Sequence, residues 1–330
     1  MTDKADLLAL LREGTTYISG QELSEHFGVS RTAIWKAIRT LKEDGYEIEA
    51  VPNKGYRLVS TPDIMSYSEI SSRLGTGYVA RELYYYDKVD STNVRVRQIA
   101  DTASDGTLVV SDMQEAGRGR RGRGWNSPAG TGIYMSLLLK PDIMPSDAPM
   151  ITLIMALAVA GAIRNTTGLD ARIKWPNDVV INGRKTCGIL TEMDMESDYI
   201  RDVIVGVGIN VNQPDTGSFP EEIRGTATSL KIEAGETVRR SALVAEVMNL
   251  FEGYYDSFLG NGDLSGLRQE YEKLLVSIGT EVRVLDPGGE YSGISGGIDD
   301  RGELLVKMPD GEVRTVYAGE VSVRGIYGYV

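Results

Sequence analysis

The chain has 330 residues and a formal net charge of −12, with 42% hydrophobic and 25% charged side chains, the composition of a globular protein of two or three domains. Its one cysteine, Cys187, excludes an internal disulfide and a cysteine-cluster metal site, and its one histidine, His26, excludes a histidine zinc site and, in the rest of the chain, a Ser-His-Asp triad. Catalysis must then rest on Lys, Arg, Asp, Glu and backbone dipoles, which is compatible with nucleotidyl transfer because that chemistry depends on positioning and charge neutralisation. No basic-then-apolar signal is found at the N-terminus, and a lone cysteine fits a reducing cytoplasm. The longest apolar stretch, Met150 to Ile163, is short for a bilayer and reads as a buried helix.

In chain order, Leu7, Leu8, Leu10 and Leu11 mark a first helix, and Gln21 to Phe27 a second, with His26 on its surface. Gly28-Val29 makes a turn, the small Ser24 fits the corner, and Ser30 caps a third helix. That helix turns Ile34, Ile38 and Leu41 to one face and Arg31, Thr32, Trp35, Lys36 and Arg39 to the other. Tyr46 to Leu58 reads as a β-hairpin turning at Pro52-Asn53-Lys54-Gly55, which completes a winged helix-turn-helix over residues 1–62. Long donors on the third helix and wing suit phosphates and base edges, so Ser30, Arg31, Thr32, Trp35, Lys36, Arg39 and Lys54 are the candidate DNA contacts, with Arg57 beside them. Residues 1–60 carry a net charge of −1 and the rest −11, so DNA affinity would depend on a local basic face and on salt. A helical module for protein contacts is the alternative. Thr61-Pro62 reads as a linker.

Residues 63–275 mix strands, at Leu83–Tyr86, Leu108–Asp112, Gly132–Leu139, Arg172–Trp175, Cys187–Met193 and Val203–Val211, with helices at Thr92–Ala100, Met150–Ile163 and Ser241–Leu259. Asp90-Ser91-Thr92-Asn93 sits at a strand-to-helix junction, where it can cap the helix or bind a neutral polar group. The run from Gln114 to Trp125 alternates arginine with glycine and closes on an aromatic ring. Glycine lets backbone N–H groups approach an anion, and arginine offers a donor fork to phosphate or carboxylate. The run reads as a loop around a nucleotide-derived ligand; a solvated basic loop or an RNA-binding tract is the alternative. Lys174-Trp175-Pro176-Asn177-Asp178 makes a sharp turn with groups suited to capping or to a metal's surroundings. Lys185 precedes a strand, Cys187 reads as packing, and Gly206-Val207-Gly208 permits close ligand approach in a strand. From 276 to 330, short strands alternate with turns at Pro287-Gly288-Gly289, Asp299–Gly302 and Pro309-Asp310-Gly311, the spacing of a small SH3-like β-barrel read as a structural module.

These motifs, in this order, resemble the biotin–protein ligases: Asp90-Ser91-Thr92-Asn93, the loop Gln114 to Gly124 with Trp125 and Ser127-Pro128, Lys174 to Asp178, Lys185-Thr186-Cys187-Gly188-Ile189-Leu190 and Gly206 to Asn210. The N-terminal module is similar to that of the bifunctional subclass, ligases that also repress a biotin operon. The resemblance implies a multidomain α+β chain whose central domain is a largely antiparallel mixed sheet of the biotin/lipoate ligase type. It implies ATP and biotin as substrates, Mg with the ATP near Asn177 and Asp178, and no metal cage made by protein alone. It places Ser91, Thr92, Asn93, Gln114, Gly117, Arg118, Gly119, Arg120, Lys185 and Gly188 at biotin. It places Arg120, Arg121, Arg123, Trp125, Asn177 and Asn210 at ATP or the adenylate, with Lys185, Arg120 and Asp178 in the chemistry. Partners implied are a biotin carboxyl carrier protein, operator DNA and a second copy of the chain in a ligand-linked homodimer, with no membrane. The loop departs from many relatives at Gly124 and Asn126. A lipoate ligase, or a biotin sensor without activity, are the competing readings.

Overall fold

The computed structural model of the chain describes residues 4–14, 16–196, 198–286, 289–317 and 322–325. It divides into two compact units, Met1–Leu74 with Arg239–Ala245, and Gly75–Val238 with Glu246–Val330.

The first unit holds helices α1 (Lys4–Glu13), α2 (Gly20–Phe27) and α3 (Arg31–Glu43), strands β1 (Glu47–Val51) and β2 (Gly55–Ser60), and the short α4 (Tyr67–Ser71). Ser19 and Glu22 form a capping box at the start of α2, which ends on Gly28 in the left-handed region at φ 61°. Ser30 caps α3 by accepting the Ala33 N–H. Leu7, Leu8, Leu11, Leu23, Ile34, Ile38 and Leu41 meet in one core with Tyr46 and Ile48. The expected winged helix-turn-helix is present, and Ile18 adds a bridge to Tyr56 beside the β1–β2 hairpin. Glu69, fully buried in α4, is paired with Arg12 and Arg73 and accepts the Ser241 hydroxyl.

The second unit contains β3 (Leu83–Tyr86), α5 (Thr92–Ile99), β4 (Leu108–Ser111), β5 (Gly132–Leu139), α6 (Ala148–Thr167), β6 (Arg172–Lys174), β7 (Asp178–Ile181), β8 (Arg184–Glu196), β9 (Tyr199–Asn210), α7 (Leu230–Ala234), most of α8 (Arg240–Asn261) and α9 (Arg268–Leu274). Its seven strands run in the order β3-β4-β5-β9-β8-β7-β6. Only β3 and β4 are parallel; every other pairing is antiparallel. All eight residues of β5 are buried, so its near-continuous apolar sequence reflects cover on both faces. Helix α6 is longer than the apolar run that marked it, at 20 residues, and is long and apolar enough to cross a membrane; 13 of its side chains are buried in protein instead. Each Leu, Ile, Val or Met among them contributes about 1.5–3 kcal/mol on burial.

Strands β10 (Glu281–Asp286), β11 (Gly289–Ile298), β12 (Leu304–Lys307), β13 (Val313–Val316) and β14 (Ser322–Gly325) form an antiparallel sheet in the order β13-β12-β11-β10-β14. This is the expected C-terminal β module. Of its three expected turns, that at 309–311 and that at 299–302 are found, while residues 287–288 lie outside the described residues. Strand β7 was not legible as a strand, because its four residues follow the sharp turn directly.

Candidate active site

Because β3 and β4 are parallel, the segments that follow them emerge at the same edge of the sheet, and Val89 bridges Gln114 there. This brings Asp90–Asn93, at the start of α5, against the arginine-glycine loop. Gln114 Oε1 accepts the Thr92 N–H at 2.9 Å, and Gln114 Nε2 donates to Ser127 Oγ at 2.9 Å. Asn93 Nδ2 donates to Glu192 Oε2 at 2.7 Å, and Asn93 Oδ1 accepts from Ser136 Oγ at 2.5 Å. Ser91 occupies the N-cap position of α5 without a side-chain capping bond, so the helix start does not by itself account for its hydroxyl. The arginine-glycine run is itself folded: Trp125 N–H donates to Gly117 O, Gly119 N–H to Arg123 O, and Arg121 and Gly122 turn the tip with φ of 56° and 69°. A β-carbon at Gly117 would lie 2.5 Å from Trp125 O.

Register supplies the floor. Tyr134, Gly208, Gly188 and Asp178 are direct partners across four strands, so they share one face of the sheet. The two glycines leave a trough beside the carboxylate, and the Trp125 ring lies in it. A β-carbon at Gly208 would come within 2.5 Å of the indole, and one at Gly188 within 3.0 Å. The indole N–H is buried with no hydrogen-bond partner among the described residues, so no hydrogen bond of its own holds the ring there. On the same face, two residues along β9, Gly206 makes room for Asn93.

Lys185 reaches this face through a β-bulge. Asp178 pairs with Gly188 and Val179 with Cys187, but Val180 pairs with Lys185, leaving Thr186 as the extra residue. Regular alternation would send Lys185 to the opposite face; the bulge turns it to the face of Asp178. Lys185 Nζ then lies 2.5 Å from Asp178 Oδ1 and 5.5 Å from the Trp125 ring centre. Arg120 Nη1 donates to Asn177 Oδ1 at 2.7 Å, joining the loop to the turn after β6. Burial pulls the Arg120 guanidinium below its ordinary value, opposed by the charge of Asp178 and assisted by that of Arg121. Burial pushes the Cys187 thiol up, in keeping with a packing role. The turn is also held from the C-terminal sheet: Trp175 Nε1 donates to Gly302 O at 3.0 Å. The β module, read from sequence as a separate structural piece, thus touches the site's frame.

Two cavities meet here. The smaller, about 50 Å³, is lined by Ser91, Thr92, Asn93, Gln114, Arg118 and Gly188 among others. The wider, about 450 Å³, is lined by Arg121, Arg123, Asp178 and Asn210 and closed by a wall from Gln213 to Ala227 that includes Phe219 and Ile223. Gly119, Arg120, Trp125, Asn177 and Lys185 border both. The expected site residues are therefore gathered in one place; Gly117 contributes its carbonyl to the loop and lines neither cavity. Ser136 and the 213–227 wall were missed.

In the first unit, Arg31, Trp35, Arg39 and Lys54 line one groove of about 600 Å³ between α3 and the hairpin, and Lys42 joins them. Ser30, Thr32 and Lys36 are exposed but do not line that groove, and the Ser30 hydroxyl is engaged as the cap. Arg39 is paired with Glu43 at 2.9 Å and lies over the Trp35 ring.

With this geometry in hand, the chain belongs to the biotin/lipoate A/B protein ligase family, whose profile matches residues 85–210. A helix-turn-helix (HTH) domain profile matches residues 4–57, and the biotin protein ligase C terminal domain matches 277–324. The chain is 42% identical to the bifunctional ligase/repressor BirA of Bacillus subtilis (strain 168) over 98% of its own length and 99% of the relative's. It is 32% identical to BirA of Escherichia coli (strain K12) over 96% of each. Its fold is similar to that of the biotin protein ligase from Aquifex aeolicus in complex with biotin and ATP, with a TM-score of 0.66 and 32% identity over 74% of this chain and 99% of that one.

Proposed function

We infer that this protein is a biotin–protein ligase and a biotin-responsive repressor. The carrying observation is the junction at which Arg120, Asn177 and Lys185 border both a narrow polar cavity and a wide one. Biotin lies in the narrow cavity, its ureido ring toward Ser91, Thr92, Asn93 and Gln114, and ATP in the wide one. A biotin carboxylate oxygen attacks the α-phosphorus, the bond to the β-phosphate oxygen breaks, and pyrophosphate leaves. A neutral lysine amine of a biotin carboxyl carrier protein then attacks the carbonyl carbon of biotinyl-5′-AMP, the bond from that carbon to the phosphate oxygen breaks, AMP leaves, and the amine's proton passes to Asp178. Lys185 and Arg120 hold the charge that grows on the phosphate. Asp178 fixes Lys185 and faces the incoming amine. Asn177 and Asp178 would face an Mg²⁺ that arrives with the nucleotide, and the ion would supply further charge neutralisation. The Trp125 ring borders both cavities and flanks the nucleotide.

Residues 1–62 form the DNA-binding domain, 63–275 the ligase domain and 276–330 the C-terminal module of a cytoplasmic protein that dimerises when the adenylate is bound. Purified protein should exchange pyrophosphate into ATP with biotin and not with lipoate; exchange with lipoate alone, or with neither, would overturn the assignment.

Arg120→Ala should release and hydrolyse the adenylate about ten- to a hundredfold faster, the equivalent of ~1.5–3 kcal/mol for a charge-assisted bond. Wild-type dissociation and hydrolysis rates in that variant would remove Arg120 from the phosphate site.

One winged module reads few base pairs, so specific binding requires two copies on a two-fold operator. Operator affinity should therefore rise when biotin and ATP are both present, by linkage to dimerisation. Arg31→Ala should weaken operator binding and reduce the slope of log K against log salt by about 1. A titration over a salt series, on operator DNA upstream of biotin-synthesis or uptake genes, reads both. If neither affinity nor dimerisation responds to biotin plus ATP, the repressor half of the reading fails.

A further inference from the structure

The bulge that turns Lys185 toward Asp178 is an irregular piece of strand, and its main chain is clamped from outside the sheet. Lys185 N–H donates to Thr226 O at 2.7 Å, and Lys185 O accepts the Thr228 N–H at 2.9 Å. Both sides of this clamp converge on one side chain. Glu233, in α7, accepts from Asn182 Nδ2 and from Arg184 Nη2, each at 2.7 Å, and from the Thr228 hydroxyl at 2.5 Å. The first two donors belong to the Asn182-Gly183 hairpin turn and the start of β8; the third, Thr228, directly follows the segment that walls the wide cavity. The Glu233 side chain is only 5% exposed. A carboxylate is kept buried only where an opposite charge and hydrogen bonds offset its desolvation, and all of those partners here flank Lys185. Glu233 lines neither cavity of the active site.

We propose that Glu233 is a positioning residue for adenylation: it ties the β7–β8 turn, the bulge and the 226–228 segment into one ring that presents Lys185 at the junction of the two cavities. The proposal rests on the reading of Lys185 as the cation of the adenylation step. It also means that the wall facing the nucleotide and the strand carrying the lysine share a support, because Thr226 and Ala227 line the wide cavity.

The test compares pyrophosphate exchange in Glu233→Gln, Thr228→Val, Lys185→Ala and the two doubles that add each substitution to Lys185→Ala. Glutamine keeps the volume but removes the charge facing Arg184 and sets an amide donor against donors. Glu233→Gln should lower kcat by about tenfold or more, since misplacement by about an ångström can cost about a hundredfold. The KM for biotin and the stoichiometry of bound biotin should stay at wild-type values. Thr228→Val should give a smaller fall in the same direction. Added to Lys185→Ala, neither substitution should lower kcat further, because a residue acting through the lysine has nothing left to position. Equal losses in both backgrounds, reduced biotin stoichiometry or wild-type kcat in Glu233→Gln would overturn the proposal. If Glu233→Gln does not fold, Thr228→Val and its double decide by the same non-additivity. Wild-type exchange in Lys185→Ala would instead overturn the underlying reading of the lysine.

Discussion

Lys185→Ala should lower biotin-dependent pyrophosphate exchange by about a hundredfold or more, with a much smaller loss of biotin affinity, as expected for a group aimed at charge that develops in the transition state. The lysine borders both cavities and is fixed by its contact with Asp178 and by the Trp125 ring. On the proposed reading, removing it withdraws a cation from the point where carboxylate and α-phosphate meet, and takes from the Asp178 carboxylate its ion-pair partner. Both effects raise the barrier, whereas the ureido side of the narrow cavity is untouched. Isotope exchange and biotin calorimetry on the same preparation separate the two quantities. Unchanged exchange in a folded variant would remove Lys185 from the chemistry.

Gly206→Ala should weaken biotin binding by about a hundredfold and leave ATP affinity close to that of the wild type. A β-carbon at this position would lie 2.2 Å from Asn93 Oδ1, far inside contact distance. Asn93 cannot yield cheaply, because it is buried and its amide is bonded on one side to Ser136 and on the other to Glu192. A displaced Asn93 leaves the polar atoms of bound biotin that face it without partners, at about 1–3 kcal/mol each, and one or two such losses correspond to the expected effect. Biotin titration by calorimetry is the measurement. Wild-type affinity would mean that Asn93 does not contact the ligand.

The loop from Gln114 to Trp125, the turn from Lys174 to Asp178 and the Gly206–Asn210 strand end were legible because their chemistry is local: arginine, glycine, proline and amide in short runs that no core requires. Ser136 was not, because it sits within an apolar strand, Gly132 to Leu139, and only its alignment opposite Gly206 brings it to Asn93. The 213–227 wall was hidden for a related reason. Phe219 and Ile223 reach the cavity only because the chain doubles back after β9, and nothing in their own sequence marks that return. Glu233 resembles any helix carboxylate until Asn182, Arg184 and Thr228 are seen around it. At their shared hairpin, β8 and β9 run beyond their expected ends because the outer residues there pair only with each other, as in Glu196 with Tyr199, while β8 gains Arg184 and Lys185 at its other end by pairing with β7. The bulge at Thr186 leaves no mark on composition at all, yet it decides which way the lysine points.

The bond from Trp175 to the Gly302 carbonyl makes a turn in the C-terminal sheet one of the fixtures on which the Asn177–Asp178 segment is mounted. Gly302 is itself wedged, since a β-carbon there would come within 2.7 Å of Leu153 and 2.9 Å of Leu264. Chimeras between relatives would therefore not exchange an inert tail when they exchange this sheet. They would import the donor's turn geometry into the recipient's Asn177–Asp178 segment, and, on the proposed reading of that segment, two parents that are each fully active could yield offspring that fold, bind biotin and fail at the first chemical step.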